Sequence, residues 1–202
     1  MSALDFDNPP ADPLPTLNQW LQDAERQAAM RNPNAMALAT AGRDGAPSVR
    51  TVLLKGIDEH GAVFFTNRQS RKGRVLEASG RAALVFYWDA LDRQLNIEGR
   101  VTRVSDEESD AYFATRPRGA QVAAWASRQS EPAASRAELD ASAADVARRY
   151  QGLPVLRPQH WGGYRVSLER VEFWQGRPDR LHDRLVYTRD DRGGWRAQRL
   201  WP

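Results

Sequence analysis

The stretch WQGRPDRLHDR, residues 174–184, sets three arginines (Arg177, Arg180, Arg184), a histidine and two aspartates beside a tryptophan. Three further stretches concentrate groups suited to phosphate: RTVLLK (50–55), FTNRQSRK (65–72) and RPRGAQVAAWASRQS (116–130). Any one of them alone reads equally well as a solvated charged surface, but together they call for more than one bound anion. An arginine offers a planar fork of donors and a lysine a compact point charge, so the two are not interchangeable at a phosphate. Only Lys55 and Lys72 are lysine among 29 basic residues. In a chain that otherwise uses arginine, these two positions stand out.

Composition narrows the chemistry. With no cysteine, disulfides, thiolate metal sites and cysteine nucleophiles are all excluded, and three scattered histidines (His60, His160, His182) do not make a zinc site. No apolar run is long enough to span a bilayer, and the opening MSALDFDNPPADP lacks the basic and apolar regions of a signal peptide. A cytoplasmic protein with no membrane partner is expected. Net charge is only +3, without a basic tail, zinc-finger spacing or RNA-binding aromatic motif, so no nucleic-acid partner is expected either. GxGxxG and Walker sequences are absent, which removes the usual signature of dinucleotide and NTP folds.

The elements that must position these groups follow from periodicity. An irregular segment, 1–12, precedes a single expected domain, 13–202. Residues 16–29 place Leu17, Trp20, Leu21 and Ala24 on one helical face, with Thr16 as the expected cap. AMALATA, PSVRTVLLKGI and AVFFTN, separated by GRDG and DEHG, read as an antiparallel meander. In an extended strand Arg50, Val52 and Leu54 point one way and Thr51, Leu53 and Lys55 the other, so Arg50 and Lys55 serve different neighbours. Ser70 caps a short helix over 70–79, where free N–H groups beside Arg71 and Lys72 favour an anion. Two long strands, RAALVFYWDAL and RQLNIEGRVTRVS, lead to helices from Ser105 or Asp106 to about Thr115 and over 135–152. Three strands close the chain: GYRVSLERVEFWQ, RLVYTR and GWRAQRLW. Consecutive strands with short turns and inserted helices imply a mainly β protein, an antiparallel barrel with peripheral α-helices.

RTVLLKGIDEHGAVFFTNRQSRKGRVLE, RQLNIEGRV, YFATRPRGAQVAAWASRQS and WGGYRVSLERVEFWQGRPDRLHDRLVYTR together closely resemble the pyridoxamine/pyridoxine 5′-phosphate oxidase family, from about Asp12 to Pro202. The resemblance implies an antiparallel split β-barrel that binds FMN at the interface of a homodimer. It implies oxidation of pyridoxine 5′-phosphate and pyridoxamine 5′-phosphate to pyridoxal 5′-phosphate. A hydride leaves the 4′ carbon for the flavin, and dioxygen then takes the electrons as hydrogen peroxide; the amine substrate also releases ammonia.

Carried over by position, the family's FMN contacts fall on Arg50, Thr51, Val52, Leu53, Leu54, Lys55, Phe65, Thr66, Arg71, Lys72, Gln94, Gln129, Ser130, Trp174 and Arg184. Its substrate contacts fall on Lys55, Tyr112, Arg116, Arg180 and His182, the first three around the substrate phosphate. The resemblance makes Arg180 and His182 the expected catalytic pair, which would hold the substrate ring and its 4′ substituent, while Arg184 would stabilise negative charge gained by the flavin. This joins the two reactants through the stretch 174–184. Two positions depart from the family pattern: Ala120 where a phosphate-binding serine is common, and Phe65 where tyrosine is usual. The chain also begins later than longer relatives whose Arg-Arg-Glu-Tyr segment folds over the site, so any lid comes from elsewhere or is absent.

Other prominent residues carry plainer expectations. Trp20, Trp88 and Trp125 are assigned to packing, His60 and His160 to no role, and Arg118 and Arg177 to surface charge. Because fold alone does not fix substrate, a split-barrel flavin oxidase acting on a phenazine-type precursor is the alternative enzyme, and a noncatalytic flavin or vitamin-phosphate carrier the alternative from another class.

Overall fold

The computed structural model describes residues 4–27 and 30–202. Helix α1 (Leu14–Gln27) precedes β1 (Ala35–Ala41), β2 (Pro47–Leu53), β3 (Gly56–Asp58) and β4 (Gly61–Asn67). Helix α2 (Arg71–Ser79) leads into β5 (Arg81–Trp88) and β6 (Arg93–Arg103). Helices α3 (Asp106–Thr115), α4 (Arg118–Ala126) and α5 (Arg136–Arg149) follow, then β7 (Trp161–Val166), β8 (Arg170–Gln175), β9 (Asp183–Arg189) and β10 (Trp195–Leu200). Every strand pairing is antiparallel. The main path runs β10-β9-β8-β6-β5-β1-β2, while β3, β4 and β7 close a second layer through the far end of β6. The architecture is the expected mainly β split barrel with peripheral helices.

Strand β6 makes the split. Its first half pairs with β8 (Arg93–Glu98) and its last residues, Val101–Arg103, with β7. At the bend, a Cβ on Gly99 would run into the Ser167 carbonyl, so only glycine lets the two backbones approach. The same bend explains why 163–175, expected as one strand, is two: Ser167 and Glu169 cross from one layer to the other, hydrogen-bonding Arg100 and Glu98.

Alternation decides which residues enter the core. Leu84, Phe86 and Trp88 of β5, Leu95 and Ile97 of β6, Val171 and Phe173 of β8, and Leu185 and Tyr187 of β9 all point inward and are buried. Trp20 of α1 packs edge-on against Phe173 at 5.1 Å. The opposite face carries a row running straight across four strands, in which Tyr87 pairs with Gln94, Gln94 with Trp174 and Trp174 with Arg184.

Several boundaries differ from expectation for local reasons. Helix α1 begins at Leu14 rather than Thr16, with Asp12 accepting from the Leu14 N–H and Pro15 in the first turn, where no donor is needed. Its expected end at 28–29 lies outside the described residues. The strand expected over 47–57 breaks after Leu53, because Leu54 turns into the core while its backbone bonds to Asn34. Helix α4 was not expected. Pro117 stands at its N-terminus, the place where proline is favoured, ahead of the alanine-rich run that forms it. Helix α5 is shorter than 135–152 and ends at Arg149. Helix α2 agrees with expectation, with the Ser70 hydroxyl accepting from the Gly73 N–H and Gly80 in the left-handed conformation at its end.

Candidate active site

A second, smaller apolar cluster lies beneath α3, α4 and α5: Phe113, Val122, Val146, Val155 and Trp161, with Phe65 and Tyr112 at its edge. Its edge borders a cavity of about 580 Å³ between α3, α4, β2 and β4. Strand β4 delivers Phe65 and Thr66 opposite Gly163 and Gly162 of β7. A Cβ on Gly163 would strike the Phe65 ring and Val104, so the glycine lets the ring lie flat across β7. Phe65 then stacks on Tyr112 at 4.2 Å and on Trp161 at 5.3 Å, making a three-ring wall.

Two groups of cations face this cavity or flank it. At one end Tyr112 stands on the last turn of α3 and Arg116 follows it as the extended C-cap; Ser105 caps the other end of the helix, and its Asp106 and Asp110 are pinned by Arg157. The Arg116 guanidinium lies 4.6 Å from the Trp161 ring and 5.5 Å from Phe113, and its buried Nη1 has no hydrogen-bond partner among the described residues. Burial pushes its pKa down, a shift the nearby Tyr112 partly opposes. Lys55 Nζ sits 5.7 Å from the centre of the Tyr112 ring.

At the other end Lys72 reaches back from the first turn of α2 to Gln129 Oε1 at 2.7 Å and Thr66 Oγ1 at 3.3 Å. Burial and then the neighbouring Arg50 hold its ammonium below the ordinary lysine range. Arg50 is itself lowered by burial and by Arg71, and among the described residues its guanidinium donates only to the Leu38 carbonyl and the hydroxyls of Thr40 and Ser48. Like charges drawn together with only neutral acceptors form a site for an anion. The helix N-terminus beside them adds to it.

Of the residues expected at the site, Thr51, Val52, Leu53, Lys55, Phe65, Thr66, Lys72, Tyr112, Arg116 and Gln129 line this cavity. Arg50 and Arg71 flank its Lys72 end. The Leu54 side chain is in the core instead, and Leu54 does not line the cavity. Ser130 is exposed and takes φ +76°, turning the chain just after Gln129. Ala120 is not on the wall, although Pro117, Ala123 and Ala124 of the same helical face are. Trp161, which carries Arg116, is a wall residue that sequence reasoning missed. Its only sequence signal is the WGG run, whose glycines open the space beside it.

The remaining expected residues are elsewhere. Gln94, Trp174, Arg180, His182 and Arg184 stand on or beside the outer face of β6, β8 and β9, three to five strand spacings or roughly 14–24 Å along the sheet from β2. The loop between β8 and β9 presents Arg180 from two successive left-handed residues, Asp179 at φ 56° and Arg180 at φ 61°. The His182 ring packs on Trp174 at 4.6 Å, and its Nδ1 accepts from the Arg177 N–H at 3.1 Å. An accepting Nδ1 carries no proton, so the proton of the neutral ring is on Nε2 and is available to a ligand.

Neither Arg177 nor Arg118 is free surface charge. Arg177 grips Asp183 at 2.6 Å and so closes the loop that bears His182. Arg118 donates to the carbonyls of Tyr150 and Leu153, tying α4 to the segment after α5. Trp125 donates to the Leu156 carbonyl and packs in the smaller cluster, while Trp20 and Trp88 are core.

Comparison with known proteins bears on both groups. A family model described as pyridoxamine 5′-phosphate oxidase matches residues 22–150, and one described as the pyridoxine 5′-phosphate oxidase C-terminal dimerisation region matches residues 161–202. The pyridoxine/pyridoxamine 5′-phosphate oxidase of Rubrobacter xylanophilus is 59% identical over 201 residues, covering 100% of this chain and 92% of its own length. That of Myxococcus xanthus is 54% identical over 193 residues, covering 96% and 93%. Among solved structures, PhzG from Burkholderia lata in complex with tetrahydrophenazine-1-carboxylic acid superposes with a TM-score of 0.92 at 35% identity, covering 100% and 98%. A pyridoxamine 5′-phosphate oxidase-related, FMN-binding protein from Nostoc punctiforme shares the fold, with a TM-score of 0.75 at 17% identity over 96% of this chain and 100% of its own. The anion cavity falls largely within the first matched region, and Trp174, Arg180, His182 and Arg184 within the second.

Proposed function

The chain belongs to the pyridoxamine 5′-phosphate oxidase family, and from that premise we propose how its residues work. It is an oxidoreductase of vitamin B6 metabolism that converts pyridoxine 5′-phosphate and pyridoxamine 5′-phosphate to pyridoxal 5′-phosphate. FMN, when bound, would supply the two-electron redox chemistry at the 4′ carbon, with dioxygen as the final electron acceptor. The observation that carries this reading is the pair of uncompensated cation groups in and beside one cavity, one for each phosphate of a cofactor and substrate that both bear one.

Arg50, Arg71 and Lys72 hold the FMN phosphate at the N-terminus of α2. Gln129 and Thr66, which already bond Lys72, keep its ammonium in place. Arg116, with its unpartnered Nη1, and Lys55 hold the substrate phosphate, and Tyr112 flanks it. The matched C-terminal region is a dimerisation region, so a second copy supplies Gln94, Trp174, Arg180, His182 and Arg184 to this cavity, and the reverse. His182 offers its Nε2 proton and Arg180 its guanidinium to the substrate ring and 4′ oxygen or nitrogen, aligning the reacting carbon with the flavin. Arg184 and Trp174 meet the flavin itself.

The test is direct. Protein stripped of flavin should bind FMN much more tightly than riboflavin, and the FMN-loaded protein should bleach on anaerobic mixing with pyridoxine 5′-phosphate. Equal affinity for riboflavin, or absence of bleaching with FMN bound, would contradict the reading.

The similarity to PhzG supports a second reading, a flavin oxidase acting on a reduced phenazine carboxylate. Arg116 and Lys55 favour the phosphate ester, because two cations with no protein anion suit a dianion better than one carboxylate. Faster anaerobic bleaching by a reduced phenazine carboxylate than by pyridoxine 5′-phosphate would reverse the preference.

A further inference from the structure

Glu172 is the most deeply buried carboxylate in the described residues, 3% exposed, although it points to the outer polar face of β8 rather than the core. Two arginines cover it. Arg184 places Nε at 2.8 Å and Nη2 at 2.7 Å from Glu172 Oε1, and Arg170 places Nη2 at 2.6 Å from Oε2 while reaching Glu98 at 2.8 Å with Nη1. Arg184 Nη1 donates to the Trp201 carbonyl at 3.1 Å. Two of its five N–H groups, on Nε and Nη1, are therefore hydrogen-bonded in fixed directions, and Nη2 stays in ion-pair contact with the carboxylate, leaving a second N–H on Nη1 for a ligand. An arginine on a strand is otherwise a long, freely rotating side chain, and ordering it costs entropy. Here that cost is met before any ligand arrives.

The charge count has its own consequence. Arg170 and Arg184 with Glu98 and Glu172 form a group of zero net charge on the sheet face that bears Trp174 and Gln94. We propose that Glu172 is a positioning residue that aims Arg184 at the flavin and limits how much of its positive charge the flavin feels. This rests on the reading that Arg184 meets the flavin, and it assigns to Glu172 the setting of the flavin's reduction potential. A plain ion pair joining β8 to β9 would tie the strands together without any effect on the cofactor.

Two substitutions separate the roles. Glu172→Gln keeps an acceptor for Arg184 but removes the opposing charge; Glu172→Ala removes both. Holoprotein of each variant, saturated with FMN, is titrated for flavin midpoint potential, and stripped protein is titrated for FMN affinity. The Gln variant should have a more positive potential than the parent, because an undiminished Arg184 favours the electron-rich flavin. The Ala variant should have a more negative one, because Arg184 is no longer held in place. FMN affinity should change by less than about threefold in the Gln variant and fall by about tenfold in the Ala variant.

Potentials that move the same way in both variants, or in neither, would overturn the inference. Should the Ala variant not fold, the Gln variant decides, since an unchanged or lowered potential there is equally fatal. Arg184→Ala separates this failure from failure of the underlying reading. If that substitution lowers the potential while the Glu172 variants leave it unmoved, only the role of Glu172 falls. If Arg184→Ala leaves the potential unchanged, Arg184 does not meet the flavin and both fall.

Discussion

In and beside the cavity, Arg50, Lys72 and Arg116 meet neutral acceptors or, at Arg116 Nη1, no partner. On the outer face of β8 and β9 and at its edge, Arg170, Arg177, Arg184 and Arg199 are each gripped by carboxylates, chiefly Glu172 and Asp183. Both regions are rich in arginine, and a count of charges along the sequence does not separate them. The difference lies in where the compensating charge comes from. On the proposed reading the cavity takes its anions from outside, as the phosphates of cofactor and substrate. The outer face brings its own, which orients its arginines and leaves little net charge to attract a phosphate. One region is built to bind and the other to aim.

Breaking the binding region should have the largest effects. Lys72→Ala removes a charge-assisted contact to the cofactor phosphate and should weaken FMN binding on the order of 100-fold, read by flavin fluorescence during titration of stripped protein. Arg116→Ala should raise KM for pyridoxine 5′-phosphate about 30-fold with kcat little changed and FMN affinity intact, since the substrate phosphate is remote from the reacting carbon. A loss of FMN from the Arg116 variant would mean that the two cation groups are not separate sites.

Breaking the aiming region should leave binding alone and slow the chemistry. His182→Ala should retain FMN and reduce the rate of anaerobic flavin bleaching about tenfold, seen by stopped-flow absorbance, because alignment rather than attachment is lost. A variant that sheds flavin but bleaches normally when reloaded would move His182 to the binding region. The smallest effect is expected at Ala120, which stands just off the cavity wall on α4. Ala120→Ser should lower KM for pyridoxine 5′-phosphate by about threefold without altering kcat, if its hydroxyl reaches the phosphate directly or through water.

The contrast between the two regions also marks what the sequence could and could not convey. The helix over 71–79 was legible because its cap, its dipole end and its glycine stop are all local signals. The strands of the core were legible from alternation. The break after Leu53, the crossing at Ser167–Glu169 and helix α4 were not, because they depend on how β6 bends and on which layer each strand joins. The resemblance assigned roles to Arg180, His182 and Arg184, but the residues that hold that stretch in place did not announce themselves. Glu172 and Asp183 read as ordinary acidic positions until the register sets them beneath arginines. Trp161 was equally silent, since a platform under Arg116 exists only once α3 lies over β7.

The division of the site between two copies is tested by mixing. Arg116→Ala disables the binding region and Arg184→Ala the aiming region; each homodimer should be close to inactive under substrate-limited conditions. If each cavity takes its aiming residues from the second copy, a mixed dimer has one doubly damaged site and one intact site. Random reassociation should then restore roughly a quarter of the parent activity, because half of the dimers are mixed and each has one working site of two. Measured turnover near that fraction, with a KM matching the parent, is the expected result. Activity that stays at the level of the separate variants after verified subunit exchange would mean that each chain completes its own site.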